Sequence, residues 1–140
     1  MRFYFFVTFF FQGLGATDLK LHVEPGLFEW LAWYQECGVP DWMSSRDLLA
    51  AGFNADESYE PFISMEELRD TQAQLQQPES IDQFYTRNFF VTRCILQATE
   101  EAGGNLLLVA HAVSLDTCSR FVLHILHSQK ICLKTSPCSK

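Results

Sequence analysis

The chain has 140 residues, 48% of them hydrophobic and 19% charged, with a formal net charge of -7. That length and apolar content suit one domain with a real core, and the acidity argues against a broad basic footprint for nucleic acid or anionic lipid. Five cysteines at wide, irregular spacings, with no C-x-x-C, argue against a disulfide framework or a zinc site and fit a reducing compartment.

The N-terminal "MRFYFFVTFFF" is the compositional anomaly. It is too short to span a bilayer as a helix, and as a strand it would be apolar on both faces. Its single arginine and the small residues Gly13, Gly15 and Ala16 match a secretory signal only loosely. Residues 1–12 are therefore set apart as an atypical Phe-rich segment.

"LKLHVEP" alternates apolar and polar residues and predicts a short strand stopped by Pro25. "GLFEWLAWYQEC" is too rich in aromatic and aliphatic residues for a solvated loop and predicts a helical turn ended by Gly38 and Pro40. "SSRDLLAAG" predicts a short helix with a serine cap and a glycine stop, and "SMEELRD" one more capped turn. The clearest helix runs from about Glu79 to Ala102. Ser80 and Gln83 form its capping box, and Ile81, Phe84, Val91, Ile95, Ala98 and Ala102 its apolar face. "NLLLVA" then predicts a strand buried on both faces, and Ser114 caps a further helix. Helix, buried strand, helix is the order of an α/β sheet. From Ser128 onward no period is visible, which predicts a loose tail.

His111 falls where α/β folds place working residues, between a buried strand and a helix N-terminus whose free N–H groups suit an anion. On position alone, a histidine hydrogen-bonded at a strand end is the commoner case. Glu29, between Phe28 and Trp30, has an aromatic setting that suits a proton donor, although spacing alone favours an ordinary carboxylate. His124 and His127 are three apart on one helix but have no acidic or cysteine partner at ligand spacing, so no metal site is expected. Cys118 reads as a small hydrophobe. A nucleophile elbow, a P-loop and an H-E-x-x-H motif are all absent.

Together, "LKLHVEPGLFEW", "FYTRNFFVTRCIL" and "GGNLLLVAHAVSLDTC" resemble the C-terminal phosphatase domain of the TULA/Sts proteins, which suppress T-cell receptor signalling and also carry ubiquitin-associated and SH3 domains. That domain is a histidine phosphatase of the phosphoglycerate-mutase-like fold. The resemblance runs from about Gly13 to Cys118 and covers a middle portion of the family's longer domain. It implies a partial sheet flanked by helices over residues 13–127, with 128–140 as a divergent tail. It also implies chemistry that needs neither metal nor cofactor. In the family a histidine of an R-H-G motif attacks phosphorus and becomes phosphohistidine, while arginines and a second histidine hold the phosphoryl oxygens. A glutamate protonates the leaving oxygen. The glutamate of "LFEW" matches Glu29, and the histidine of "VAHA" matches His111.

The departures weigh as much as the match. No Arg-His dipeptide occurs, so the nucleophile and its flanking arginine are missing. None of Arg2, Arg46, Arg69, Arg87, Arg93 and Arg120 stands in an equivalent motif position; Arg87 and Arg93 read as structural or solvent-facing. The expectation is a truncated or alternatively spliced histidine phosphatase chain, deficient in turnover, that can still meet phosphate or a phosphotyrosyl substrate. The rival expectations are a non-enzymatic, dominant-negative partner of a full-length relative, and a gene-model fragment without a stable fold. Cytoplasmic localisation is expected, with secretion as the minor alternative and no stable membrane span.

Overall fold

A computed structural model of the chain describes Gly15 and residues 18–74, 77–103 and 105–134. The Phe-rich segment with its signal reading, and the last residues of the expected tail, lie outside them. The described residues fall into two compact units, residues up to 26 with 31–78, and residues 27–30 with 79 onward.

Pro25 opens a 3-10 turn, Pro25–Leu27, that runs from the first unit into the second, and in the first unit a second 3-10 helix, Leu31–Tyr34, forms in the aromatic stretch. The backbone N–H of Gly38 closes the second on Tyr34 at 2.7 Å. Helix α1, Ser45–Ala50, begins at a capping box in which Ser44 and Asp47 satisfy each other's backbone N–H. Leu48 of this helix is fully buried, with Phe53 and Ala55 in one cluster, against which Leu21, Val23 and Met43 pack. Helix α2, Met65–Gln74, is longer than the single turn predicted. Its Gln72 holds the preceding loop by donating to Tyr34 O at 2.9 Å and accepting from Val39 N at 3.2 Å. The Glu24 carboxylate staples a second loop, accepting from Tyr59 Oη at 2.9 Å and from the backbone of Phe62 at 2.8 Å.

The second unit is built on two long helices, α3 (Ile81–Ala102) and α4 (Ala112–Lys134). Ser80 and Gln83 form the capping box that the sequence predicts for α3. Phe84, Val91 and Ile95 are buried as predicted, but Ile81, Ala98 and Ala102 are exposed. The contacts of α3 explain this. Phe89 meets Phe121 of α4 with ring centroids 5.2 Å apart, and Thr92 donates to Cys118 Sγ at 3.1 Å. Both contacts lie in the middle of α3, whereas the three exposed residues lie at its ends. The buried middle also holds Arg87, Asn88 and Thr92, so the covered face is far more polar than the periodicity suggests.

The expected sheet is where the described residues depart from the sequence reading: none of them forms a strand. Leu21 makes a single parallel bridge to Ala55, with Leu21 N donating to Asn54 O at 2.7 Å and Leu21 O accepting from Asp56 N at 2.9 Å. Residues 105–110 join α3 and α4 outside any helix or strand and pair with none of the described residues as a strand, and Leu106 and Leu107 are exposed. A strand is held by ladder bonds to a neighbour, and the described residues offer it no neighbouring strand. Two further corrections concern α4. It continues to Lys134, past Ser128 where a loose tail is predicted. Ser114 is not its cap: the helix starts at Ala112, and the carbonyl of His111 accepts the first helical bond from Leu115 N at 2.9 Å.

Candidate functional site

Three successive residues, Phe28, Glu29 and Trp30, are fixed from both long helices of the second unit. The guanidinium of Arg87 on α3 donates from Nη1 to Phe28 O at 3.0 Å and from Nη2 to Glu29 O at 3.1 Å. The same guanidinium takes the Glu79 carboxylate in a fork, Nε to Oε1 at 2.9 Å and Nη2 to Oε2 at 3.1 Å. Trp30 donates its indole N–H to Glu79 O at 2.6 Å. From the first turn of α4, Ser114 Oγ donates to Phe28 O at 3.4 Å. Glu79 and Arg87 are both buried.

This framework brings Glu29 and His111 together. Glu29 Oε1 meets His111 Nδ1, an ion pair when the imidazole is protonated and a hydrogen bond otherwise. The Glu29 side chain is largely shielded, at 14% exposure, while His111 is 55% exposed. His111 also stands immediately before the first residue of α4, where the backbone N–H groups of the opening turn and the helix dipole favour an anion. A carboxylate and an imidazole in contact can pass a proton, and an imidazolium at a helix N-terminus can hold an oxyanion.

The other sequence candidates lie apart from this pair. His124 and His127 are exposed on α4, and no group of three metal-ligating side chains occurs among the described residues. Cys118 is buried and accepts from Thr92, as befits a small core residue. Arg93 is exposed, and Arg87 is buried and structural. The sequence reading passed over Glu79. The signal available for it was an arginine at 87 inside the apolar stripe of Phe84, Val91 and Ile95, since a buried guanidinium requires a carboxylate partner.

No protein-family model matches the chain. It is 52% identical over 110 residues to the ecdysteroid-phosphate phosphatase of Drosophila melanogaster, a match covering 78% of this chain and 13% of that protein. It is 39% identical over 103 residues to the mouse ubiquitin-associated and SH3 domain-containing protein B, covering 74% of this chain and 15% of that protein. The crystal structure of the silkworm ecdysone phosphate phosphatase in complex with tungstate matches with a TM-score of 0.66 and 31% identity, over 83% of this chain and 41% of that one. The chain thus spans well under half of the length of these relatives. No helix among the described residues is long and apolar enough to cross a membrane.

Proposed function

Because the chain belongs to the family of the TULA/Sts proteins and ecdysteroid-phosphate phosphatases, of which it matches a segment, we propose that Glu29 and His111 form the acid and phosphate-holding half of a histidine phosphatase site. The contact between their side chains carries the reading. Two residues distant in sequence, each matched separately to a family motif, meet at the start of a long helix. The silkworm relative was solved with tungstate, an oxyanion with the shape and charge of phosphate.

In this reading His111 and the first turn of α4 hold a phosphoryl oxygen, and Glu29 delivers a proton to the leaving oxygen of a phosphomonoester. The contact with Nδ1 orients the imidazole and keeps a proton beside the carboxylate. Attack on phosphorus needs a nucleophile, and the 140 residues contain no Arg-His pair to supply the family's histidine. A polypeptide of this sequence alone therefore binds oxyanion without turning over. The test is p-nitrophenyl phosphate hydrolysis with acid trapping of phosphohistidine, paired with a tungstate titration followed at the His111 ring. Tungstate-dependent shifts with background hydrolysis are expected; a stoichiometric burst, or no shift at His111, overturns the proposal.

A second reading is favoured by residues 105–110, which form no strand with the described residues, and by the exposed Leu106 and Leu107 within them. A full-length relative would cover this segment, and any phosphotyrosyl substrate or role in T-cell receptor signalling would come through that complex. Co-purification of the chain with such a relative at low micromolar concentration supports this reading, and its absence removes it.

A further inference from the structure

For the Glu29 carboxylate to meet His111, the short segment that carries it must be held in place. Phe28–Trp30 is the short link between the two 3-10 turns. Two of its carbonyls are held by side chains of the long helices: those of Phe28 and Glu29 both accept from Arg87, and Phe28 O accepts again from Ser114. The last bond matters geometrically, because Ser114 belongs to the opening turn of the helix that begins immediately after His111. One carbonyl thus ties the Glu29 segment both to α3, through Arg87, and to α4, through Ser114.

Packing alone does not explain the choice of residues. A buried ion pair is rarely more stable than apolar side chains of similar volume, so Glu79 and Arg87 add little by being charged. Their distinctive property is direction. The planar guanidinium presents donors at fixed angles, and Glu79 takes one edge of it, which leaves the remaining N–H vectors aimed at two consecutive carbonyls. Glu79 is fixed in turn by Trp30, whose indole N–H reaches its carbonyl. The loop of contacts closes on itself around Glu29.

We infer that the buried Glu79–Arg87 pair is a positioning device that holds the backbone of Phe28–Trp30 so that the Glu29 carboxylate meets His111. This deepens the assignment of Glu29 and His111 as the phosphate-holding half-site and rests on it. Arg87 is here a positioning residue: it acts on the Glu29 backbone.

The test uses the full chain and the downfield Nδ1–H proton of His111 in an imidazole 1H–15N spectrum, with Glu29→Gln marking the spectrum of a site without the carboxylate. Two variants are compared, Arg87→Lys, which keeps the charge but loses the fork, and the double variant E79L/R87M, which leaves no buried charge unpaired. The expected result is loss of the downfield signal in both, to match Glu29→Gln, while far-UV circular dichroism and a cooperative melt persist. A signal retained in either folded variant overturns the inference. Loss of the cooperative melt in both also overturns it, since the pair is then a fold element only, and so does a parent chain without the signal. Tungstate titration of the parent separates the two ideas: a downfield signal that tungstate leaves unmoved removes the phosphate assignment and leaves the positioning role standing.

Discussion

Glu29 Oε1 touches Nδ1 of His111 although the two side chains differ in setting, the carboxylate 14% exposed and the imidazole 55% exposed. An ion pair with one partner half in water is screened, so it contributes less than about 1 kcal/mol to folding. In the half-site proposed above, its value lies in binding. Replacing His111 by Ala is expected to leave the urea unfolding midpoint nearly unchanged, because Glu29 regains water through the vacated position. On that proposal the same change removes a charge-assisted bond to a bound oxyanion, and tungstate binding is expected to weaken by about tenfold or more. Calorimetric titration beside the urea melt checks both halves. A large loss of stability with unchanged affinity would place His111 in the fold instead of the site.

The buried pair behind it behaves in the opposite way. Glu79 is 4% exposed and Arg87 9%, so removing one partner strands the other charge away from water. Glu79→Leu alone is expected to destabilise the second unit by about 3 kcal/mol or more, while Glu79→Leu with Arg87→Met costs clearly less than the single change. A double-mutant cycle on denaturant unfolding measures the difference. Equal losses in the single and double variants would mean that the two charges do not need each other.

These two pairs also mark what the sequence could and could not disclose. The helices carried local signals: Ser80 with Gln83 announced the start of α3, and Ser44 that of α1. Glu29 and His111 were legible only through motif resemblance, since nothing in their separate neighbourhoods says that they touch. Arg87 was legible only as structural or solvent-facing, and its partner was not legible, because Glu79 stands just before the helix and outside its period. The predicted strands do not form among the described residues, for a non-local reason. "NLLLVA" has the composition of a buried strand, but a strand exists only with a neighbour, and the described residues supply none. Ser114 misled differently. It is a good cap by type, but it is spent on Phe28 O, inside the first turn of α4.

In the first unit, Asp56 makes the fold sensitive to acid. Ser58 donates to Asp56 Oδ1 from its hydroxyl at 2.7 Å and from its backbone N–H at 3.0 Å, with Lys20 and His22 adding favourable charge. The carboxyl is held down from its ordinary 3.8 to about 2, chiefly by the Ser58 hydroxyl. A carboxyl depressed in the folded state contributes stability above its unfolded value, and that contribution is lost as pH falls through the folded value. Ser58→Ala is therefore expected to lower the urea midpoint at neutral pH, and the gap to the parent should close between about pH 4 and pH 2. A gap that stays constant across that range would show that Ser58 acts on something other than Asp56.

The end of α3 depends on one glycine. Gly103 N–H reaches Thr99 O at 2.8 Å, closing the last turn, and its backbone lies at φ 73°, ψ 170°. Nothing stands within 4 Å of where a Cβ would be, so a side chain meets no neighbour there. The cost of a substitution must come from the backbone itself. Positive φ with ψ near 180° is a region that only glycine occupies readily, and it differs from the left-handed helical region that asparagine tolerates. Gly103→Ala and Gly103→Asn are accordingly expected to destabilise by similar amounts, about 1–3 kcal/mol each. Paired thermal melts of the two variants decide it. A clear advantage for asparagine would show that the chain leaves α3 through an ordinary left-handed cap, and residues 105–110 would then start toward His111 in a different direction.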